Sequence, residues 1–366
     1  MRVVIDAVPL LIRSAGVKNY LYYWIRALRE AAGAGAIRTF PDLAGLGQLN
    51  HEGSITGPVR TGAGLAALAL ANYTRLPVAD WCARGADLFH TTNLLRRPPR
   101  RIPVTTTIHD VTCWLIPELH PAANIRADRA FAEVLRRARA AIADSENTKN
   151  DAVRVLGLRP EKITVIYPGI PEVFFAVPPE AVPAVRSRYG LSRPFLLFVG
   201  TIEPRKNIGL LLDAYGSLPV SFRQEFELVV AGPAGWASPE TLARLSTIRY
   251  LGYVPESDLA PLTAAAAAFV YPSLYEGFGF PVAQAMAAGV PVITSNLSSL
   301  PEVAADAALL VDPRSPSELC DAMARLLSSS ELRLELGKRG RCRAREFRWQ
   351  TAAERSLNFF ESVLGG

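Results

Sequence analysis

A glutamate and two glycines lie together in the sequence Glu-Gly-Phe-Gly-Phe at residues 276–280, between an apolar run ending at Tyr271 and a helical pattern beginning at Pro281. Ligands of parallel α/β sheets bind at the carboxyl ends of the strands, where the next helix offers N–H groups and partial positive charge. The glycines allow close backbone approach, and the Glu276 carboxylate can accept hydrogen bonds from sugar hydroxyls. The stretch predicts an anion site beside a polyol; the alternative is a simple glycine turn with a solvated carboxylate.

Two adjacent cations, Arg205 and Lys206, separate the apolar segment 195–200 from a helical pattern that starts at Ile208. Positive charges before a helix N-terminus oppose the helix dipole, so a negative partner is expected. A pyrophosphate suits this role, because Arg205 can bind it bidentately and Lys206 can act as a point charge. The alternative is a solvated turn.

Polar residues also follow strands predicted in the first half of the chain. His109 and Asp110 come directly after a strand predicted at 104–108, where His109 can hydrogen-bond a sugar hydroxyl and Asp110 can orient the loop. A structural histidine is the alternative. Gly16 lies in a loop predicted at 9–19, which is a position for phosphate or acceptor contact in α/β folds.

Alternating strand and helix patterns position these residues. Strands are predicted at 3–6, 87–93, 104–108, 140–144, 162–167, 195–200, 226–231, 250–254, 269–271 and 290–294. Such alternation predicts an α/β protein with parallel sheets. The proline-rich stretch 171–183 is the predicted joint, which gives a first domain at 1–176, a second at 184–345 and a C-terminal helix at 346–366. An apolar core helix is predicted at 61–70.

The composition is that of a globular protein. Of 366 residues, 49% are apolar and 20% charged, which excludes a disordered chain and suits two domains. The four cysteines form no C-x-x-C pair, which argues against a zinc site or a disulfide framework and fits a cytosolic compartment. The most apolar internal run, 62–71, is about half the length of a membrane span. The N-terminus reads as a buried strand and not as a signal peptide.

The net charge of +6 lies in the first half of the chain, where residues 1–180 carry 22 Lys and Arg against 16 Asp and Glu. The basic residues concentrate in Arg96, Arg97, Arg100 and Arg101 and in an arginine-rich helix at 127–141. This half could meet an anionic membrane surface or a phosphorylated acceptor; the alternative is a solvated helix face. Nucleic acid is not expected, because no aromatic residues interleave with the basic ones.

Several of these stretches resemble one family. The run EGFGFPVAQAMAAGVPVI, the segment GTIEPRKN, and ADSENT with VIYPGI are similar to the signature segments of glycosyltransferase family 4, retaining enzymes of the GT-B fold. The resemblance implies two Rossmann-like domains facing across a cleft and a C-terminal helix, containing Phe359 and Phe360, that crosses back to the first domain. Two positions depart from the family pattern: Gln284 replaces a second glutamate, and Lys18 replaces a glycine and could supply a cation to phosphate.

The resemblance also implies a function: transfer of a hexose from a nucleotide diphosphate sugar to a glycan or lipid-linked acceptor in polysaccharide assembly. By the same analogy, the alternative for the helix at 61–70 is that its region helps to seat a lipid-linked acceptor. HDVTCWLIPELHP and GTIEPRKN look most like bacterial mannosyltransferases, so GDP-mannose is the first candidate donor, before UDP sugars. The implied catalytic residues are His109, Glu276, Arg205 and Lys206. The implied donor-binding residues are Gly16, Gly200, Val254, Phe278, Gly279, Phe280 and Gln284.

No D-x-D motif occurs in the sequence, so no divalent metal and no other cofactor is expected. The expected location is cytoplasmic, peripheral on the inner face of the membrane. Two alternatives remain open: a catalytically impaired nucleotide-sugar-binding protein of the same fold, and a sugar-nucleotide epimerase. The Arg-Lys and Glu-Gly-Phe-Gly patterns fit transfer better than epimerisation.

Overall fold

The computed structural model describes residues 1–14, 16–43 and 45–365, which form two compact units. Unit 1 contains residues 1–169 and the chain from 348 onward, and unit 2 contains residues 170–347. The division thus falls just before the proline-rich stretch predicted as the joint. The last residue of the predicted helix 346–366 lies outside the described residues.

Unit 1 is built on a parallel sheet of six strands in the order β2-β1-β3-β4-β5-β6. Its strands are β1 (Val3–Asp6), β2 (Ile37–Phe40), β3 (Leu88–Thr91), β4 (Val104–Ile108), β5 (Ala140–Ala143) and β6 (Ile163–Val165). Its first helices are α1 (Gly16–Ala32), α2 (Pro58–Tyr73), α3 (Val78–Cys82), α4 (Thr112–Leu115), α5 (Ala122–Arg137) and α6 (Glu146–Leu156). The central strands are buried along their length, as in sheets covered by helices on both faces.

Unit 2 contains a second parallel sheet, in the order β12-β11-β10-β7-β8-β9. Its strands are β7 (Phe195–Val199), β8 (Glu227–Ala231), β9 (Arg249–Gly252), β10 (Ala268–Tyr271), β11 (Val292–Ser295) and β12 (Ala308–Val311). Its helices are α7 (Ala181–Arg188), α8 (Ile208–Ser217), α9 (Val220–Glu225), α10 (Pro239–Arg244), α11 (Glu256–Ala264), α12 (Phe280–Ala287), α13 (Leu300–Ala304), α14 (Pro316–Ser328) and α15 (Ser330–Ala344). This strand order is that of nucleotide-binding Rossmann sheets.

The last helix, α16 (Trp349–Gly365), belongs to unit 1 and packs on α1. The indole N–H of Trp24 donates to Ser356 Oγ at 2.9 Å, and the Trp24 ring lies 6.1 Å from that of Phe360. A Cβ on Gly169 would lie 2.2 Å from the Trp349 nitrogen, so only glycine fits where the chain meets this helix. The predicted return of the C-terminal helix to the first domain is confirmed.

Both boundaries predicted for the loop at 9–19 are wrong. Val8–Leu11 forms a 3-10 turn, and α1 already begins at Gly16. Lys18 therefore lies on the helix, where it is buried and its Nζ donates to the carbonyl oxygens of Asn50 (3.0 Å) and Gly53 (2.7 Å). Lys18 holds the segment around residue 50 against α1, in place of the phosphate contact that the sequence suggested.

The helix predicted at 61–70 exists as α2, but it is not a core helix. Its side chains Val59, Leu65, Leu70 and Tyr73 are 84%, 36%, 44% and 72% exposed. Only Gly64, Ala71 and Asn72 are buried among its described residues. Its apolar composition indicated burial throughout, whereas the helix packs on the core of unit 1 through Ala67, Leu68 and Ala71 and leaves the four large side chains above exposed. Strand β2, in the same region, was not predicted.

Candidate functional site

The predicted anion and polyol residues of unit 2 meet at one edge of its sheet. Strands β7 and β10 are neighbours, paired in parallel with Leu196 opposite Ala268, and the chain order of the sheet reverses between them. Arg205 and Lys206 follow β7, and Glu276 follows β10. Carboxyl ends of parallel strands share an edge, and ligands of open α/β sheets bind where the strand order reverses. The position is that of a ligand site.

The three residues form a buried charge cluster together with Glu203. Lys206 Nζ lies 2.6 Å from Glu276 Oε1, Arg205 Nη1 lies 2.9 Å from Glu276 Oε2, and Arg205 Nη2 lies 2.7 Å from Glu203 Oε1. None of the four side chains is more than 13% exposed. The negative partner expected for the two cations is therefore present within the chain, as two carboxylates, and a ligand phosphate is not required to compensate them.

Neutral hydroxyl groups complete the surroundings of Glu276. Ser273 Oγ donates to Glu276 Oε1 at 2.7 Å, and Tyr271 OH donates to the same oxygen at 3.1 Å while accepting from Lys206 Nζ at 2.6 Å. Burial alone would raise the pKa of Glu276, but the charges of Arg205 and Lys206 and the hydrogen bonds from Lys206 and Ser273 lower it from 4.5 to about 2. Burial and the adjacent Arg205 lower the pKa of Lys206. Glu276 is thus held firmly as a carboxylate.

The backbone around Glu276 is fixed from the segment after β11. The Glu276 N–H donates to Ser298 Oγ at 3.0 Å, and Ser299 Oγ donates to the Glu276 carbonyl at 2.9 Å. Gly279, which precedes α12, has φ +96°, and a Cβ there would lie 2.7 Å from Leu300 Cδ2. Glycine is therefore required at Gly279 both by its backbone conformation and by the close approach of α13.

The other predicted donor-binding residues of unit 2 also lie near strand ends or on α12. Phe278 is buried with its ring 5.2 Å from that of Phe347, and Phe280 opens α12. Gly200 follows β7, Val254 is buried just after the edge strand β9, and Gln284 is half-buried on α12. Sequence reasoning missed Glu203, Tyr271 and Ser273 as partners, although Glu203 and Ser273 lie in the same two loops and Tyr271 is the last residue of β10.

In unit 1, His109 follows β4 and is paired with a residue that was not predicted. Its Nδ1 lies 2.8 Å from Asp144 Oδ2, at the end of the adjacent strand β5. Burial would lower the pKa of His109, but the Asp144 carboxylate raises it above its usual value. The ring of Tyr20 lies edge-on to that of His109, with centroids 4.8 Å apart. Asp144 could have been identified from the sequence, because it is a carboxylate at the carboxyl end of a predicted strand.

A cavity of about 120 Å³ opens beside His109 in unit 1. It lies at the carboxyl ends of β3 and β4, next to α1, and its lining includes Asn93, Asp110 and Asp128. Asp110 accepts hydrogen bonds from the N–H and hydroxyl of Thr112 at 3.0 and 2.7 Å, so it orients the loop as predicted.

The remaining predicted residue of unit 1, Gly16, is the first residue of α1. A Cβ there would meet no atom within 4 Å. The structure thus shows no packing reason for glycine at this position, and the residue does not line the cavity.

Known protein families match most of this chain. Residues 15–173 match the model described as Glycosyltransferase Family 4, and residues 186–343 match Glycosyl transferases group 1. O-antigen chain mannosyltransferase B from Escherichia coli is 35% identical over 272 residues, which cover 72% of this chain and 71% of that enzyme. The chain belongs to glycosyltransferase family 4. It is a glycosyltransferase, and its two Rossmann-like units give it the GT-B fold.

Solved structures share the fold at low sequence identity. Sucrose-phosphate synthase from Thermosynechococcus elongatus has a TM-score of 0.75 at 20% identity, with full coverage of both chains. Anabaena HepE, in complex with UDP-glucose, has a TM-score of 0.74 at 19% identity, with 99% of this glycosyltransferase and 100% of that chain covered.

None of the enzyme's helices, within the residues that the structure describes, combines the length and apolarity needed to cross a bilayer. Over the same residues, no group of three or more His, Cys, Asp or Glu side chains is arranged to hold a metal ion.

Proposed function

We propose that this glycosyltransferase moves a hexose, mannose as the first candidate, from a nucleotide diphosphate sugar to a glycan or lipid-linked acceptor in polysaccharide assembly, with retention of configuration. The observation that carries the proposal is the buried cluster of Arg205, Lys206 and Glu276 at the point where the sheet order of unit 2 reverses. GDP-mannose is the first candidate donor, because the E. coli relative is named a mannosyltransferase.

The energetic demand of the transfer falls on the leaving group, where negative charge grows as the glycosidic bond breaks. Lys206 has three N–H groups, and among the described residues its hydrogen bonds go to Tyr271 and Glu276, which leaves one donor for a diphosphate oxygen. Each charge-assisted hydrogen bond contributes about 1.5–3 kcal/mol. Arg205 and Lys206 together would therefore supply the stabilisation that a divalent metal gives elsewhere.

The roles of the other residues follow from this placement of the diphosphate. Glu276 would accept hydrogen bonds from sugar hydroxyls, and Gln284 would contact the ribose. Within unit 1, His109 would hydrogen-bond a hydroxyl of a sugar substrate. Positions of unit 2 close to the rest of the donor would be Gly200, Val254, Phe278, Gly279 and Phe280.

A transfer assay tests the proposal. We expect Arg205→Ala and Lys206→Ala each to lower turnover at least about tenfold, because each removes a charge-assisted hydrogen bond to the leaving group. Arg244→Ala, which removes an exposed cation paired with Asp213 in the same unit, is the matched control and should retain full turnover. Near-normal activity of both site variants contradicts the proposal.

The same assay separates the alternatives. Wild-type turnover that persists in excess EDTA agrees with a metal-independent enzyme. Loss of turnover on chelation contradicts the proposal that the enzyme needs no metal. Conversion of the nucleotide sugar without an acceptor would indicate an epimerase. Binding of nucleotide sugar without transfer or hydrolysis would indicate a binding protein.

We also propose that unit 1 associates peripherally with an anionic membrane surface. The exposed apolar side chains of α2 lie next to arginines: the Arg96 guanidinium is 5.7 Å from the Tyr73 ring, and Arg97 donates to the Thr74 carbonyl. Leu70 on the same helix is 44% exposed. Apolar side chains beside basic ones favour binding to anionic lipid headgroups.

Sedimentation with vesicles tests this association. The wild type should bind vesicles containing phosphatidylglycerol, bind phosphatidylcholine vesicles weakly, and be released by salt because exposed charges are screened. Arg96→Glu with Arg97→Glu should abolish binding, and Arg244→Glu in unit 2 should not. Equal binding to neutral vesicles, or none to anionic ones, contradicts the proposal.

A further inference from the structure

Asn207 directly follows the two cations Arg205 and Lys206 and has a backbone conformation that most residues avoid. Its φ is +60° and its ψ is +38°, in the left-handed region. The chain turns here from the 3-10 segment Pro204–Lys206 into the helix α8. The conformation of Asn207 therefore sets the angle between the helix and the turn that carries the cations.

The side chain of Asn207 joins this turn to two other loops of unit 2. Its amide nitrogen Nδ2 donates to the Pro272 carbonyl at 3.2 Å and to the Pro313 carbonyl at 2.6 Å. Pro272 directly follows β10, and Pro313 lies just beyond β12. An amide nitrogen carries two N–H groups, so each carbonyl takes one of them. We call these two hydrogen bonds the amide bridge.

The residue type at position 207 fits both the backbone angle and the amide bridge. Glycine adopts a φ of +60° freely but has no side chain that could donate. Aspartate and asparagine tolerate the left-handed conformation better than other residues with a Cβ. An aspartate carboxylate would place acceptor oxygens against two carbonyl oxygens, whereas the Asn207 amide places two donors there.

The position of the Lys206 ammonium depends on how this turn is held. A lysine side chain has a flexible four-carbon stem, so the place of its Nζ is set by its contacts and by the anchoring of its backbone. One anchor is the Arg205 carbonyl, which accepts from the Leu274 N–H at 2.9 Å, and the other is the amide bridge. From this backbone, Lys206 Nζ reaches Tyr271 OH and Glu276 Oε1, each at 2.6 Å.

We propose that Asn207 is a positioning residue for donor binding: its amide bridge fixes the turn so that the Lys206 ammonium directs an N–H group at the donor diphosphate. The inference rests on the proposed function, in which Lys206 binds the diphosphate, and adds the residue that holds this lysine in place. Both amide N–H groups of Asn207 are used within the protein, so Asn207 acts through Lys206. A turn that is ordered before the donor arrives lowers the entropic cost of binding.

Calorimetric titration of GDP-mannose into the full-length protein tests the proposal. Asn207→Gly suits the backbone angle but removes the amide bridge. We expect it to bind GDP-mannose about fivefold more weakly, because the turn must then be ordered when the donor binds, with little change in melting temperature. Ala305→Gly is the matched control, since Ala305 is an exposed residue of unit 2 with a φ of +49°, and it should bind as the wild type does. Unchanged affinity of Asn207→Gly overturns the proposal.

A double-mutant cycle shows whether Asn207 acts through Lys206. In the Lys206→Ala background, Asn207→Gly should weaken GDP-mannose binding by less than about twofold, because the ammonium that the amide bridge positions is absent. Equal losses in the wild-type and Lys206→Ala backgrounds would mean that the two residues act independently, which overturns the proposal. Asn207→Asp keeps the size of the side chain without its N–H donors, and it takes the same place in the cycle if Asn207→Gly does not fold.

Hydrogen exchange separates a failure of this inference from a failure of the proposed function. The N–H groups of Lys206 and Asn207 donate to the Glu203 and Pro204 carbonyls, each at 3.0 Å, so peptides covering the turn report on it without any donor. These amides should exchange about threefold faster or more in Asn207→Gly, and Ala305→Gly should leave them unchanged. A wild type that binds no GDP-mannose contradicts the proposed donor. Equal exchange in wild type and Asn207→Gly overturns the positioning role, whether or not the donor binds.

Discussion

Replacing Glu276 with glutamine should destabilise unit 2 strongly, because it leaves two buried cations with one carboxylate partner. Glu276 accepts from Lys206 at 2.6 Å, Arg205 at 2.9 Å and Ser273 at 2.7 Å, and a glutamine amide would bring N–H donors toward the same cations. The lowering of the pKa of Glu276 from 4.5 to about 2 corresponds to about 3 kcal/mol of stabilisation of the folded state by the charged carboxylate. Breaking a buried ion pair typically costs about 3–5 kcal/mol, which agrees with this value.

The dependence on pH has a definite sign. The pKa of Glu276 is about 2 in the folded protein and 4.5 in the unfolded chain. The carboxylate therefore stabilises the folded state fully at pH values above 4.5, and this stabilisation is lost as the pH falls toward about 2. The difference in free energy of unfolding between wild type and Glu276→Gln should therefore be about 3 kcal/mol at pH 7 and should shrink steadily between pH 4.5 and pH 2.

Hydrogen exchange in urea, followed in peptides from β7 and β10, measures the effect locally, since a chain of two units need not unfold in one step. Asp213→Asn, which breaks an exposed pair with Arg244, is the control and should cost less than about 1 kcal/mol. Glu276→Gln combined with Lys206→Met should be more stable than Glu276→Gln alone, because the second change removes an uncompensated buried charge. Additive losses, or a neutral single variant, would refute the account of the cluster.

Three further predictions concern single positions. Gln284→Glu should lower KM for the donor by an amount equivalent to about 1 kcal/mol, because a carboxylate accepts from both ribose hydroxyls; steady-state kinetics measure it, and a rise contradicts the assignment. Gly279→Ala should destabilise unit 2 by about 1–3 kcal/mol, because of the +96° φ angle and the 2.7 Å approach of Leu300; an unchanged melting temperature contradicts this. Asp144→Asn should lower the pKa of His109, measured by NMR titration of the imidazole, and a pKa that stays raised would show another cause.

The position of the donor-side residues could be predicted from the sequence because it follows from topology. Arg205 and Lys206 lie in the loop that follows β7, and Glu276 lies in the loop that follows β10. A parallel sheet puts such loops at one edge. Their pairing could not be predicted: whether Glu276 faces a ligand or the two cations depends on side-chain directions in two loops far apart in the chain. The same holds for Glu203, which precedes the cations by only a few residues.

The surroundings of His109 show a second limit of prediction from the sequence. His109 and Asp144 are 35 residues apart, and they meet because β4 and β5 are neighbours in the sheet, which the order of strands in the sequence does not by itself reveal. Likewise, the segment of α2 is apolar enough to suggest a core helix, yet local composition does not say whether any other element covers it. Lys18 looked like a phosphate ligand until its carbonyl partners near residue 50 were visible.

The most direct test of the central claim is a calorimetric titration of GDP-mannose into the wild type and into Lys206→Ala, with Lys338→Ala, an exposed lysine on α15, as the control. We expect the wild type and the control to bind GDP-mannose alike and Lys206→Ala to bind it about tenfold or more weakly, because a charge-assisted hydrogen bond is lost. Equal affinity of all three proteins would contradict the claim that the Arg205–Lys206 cluster holds the donor diphosphate.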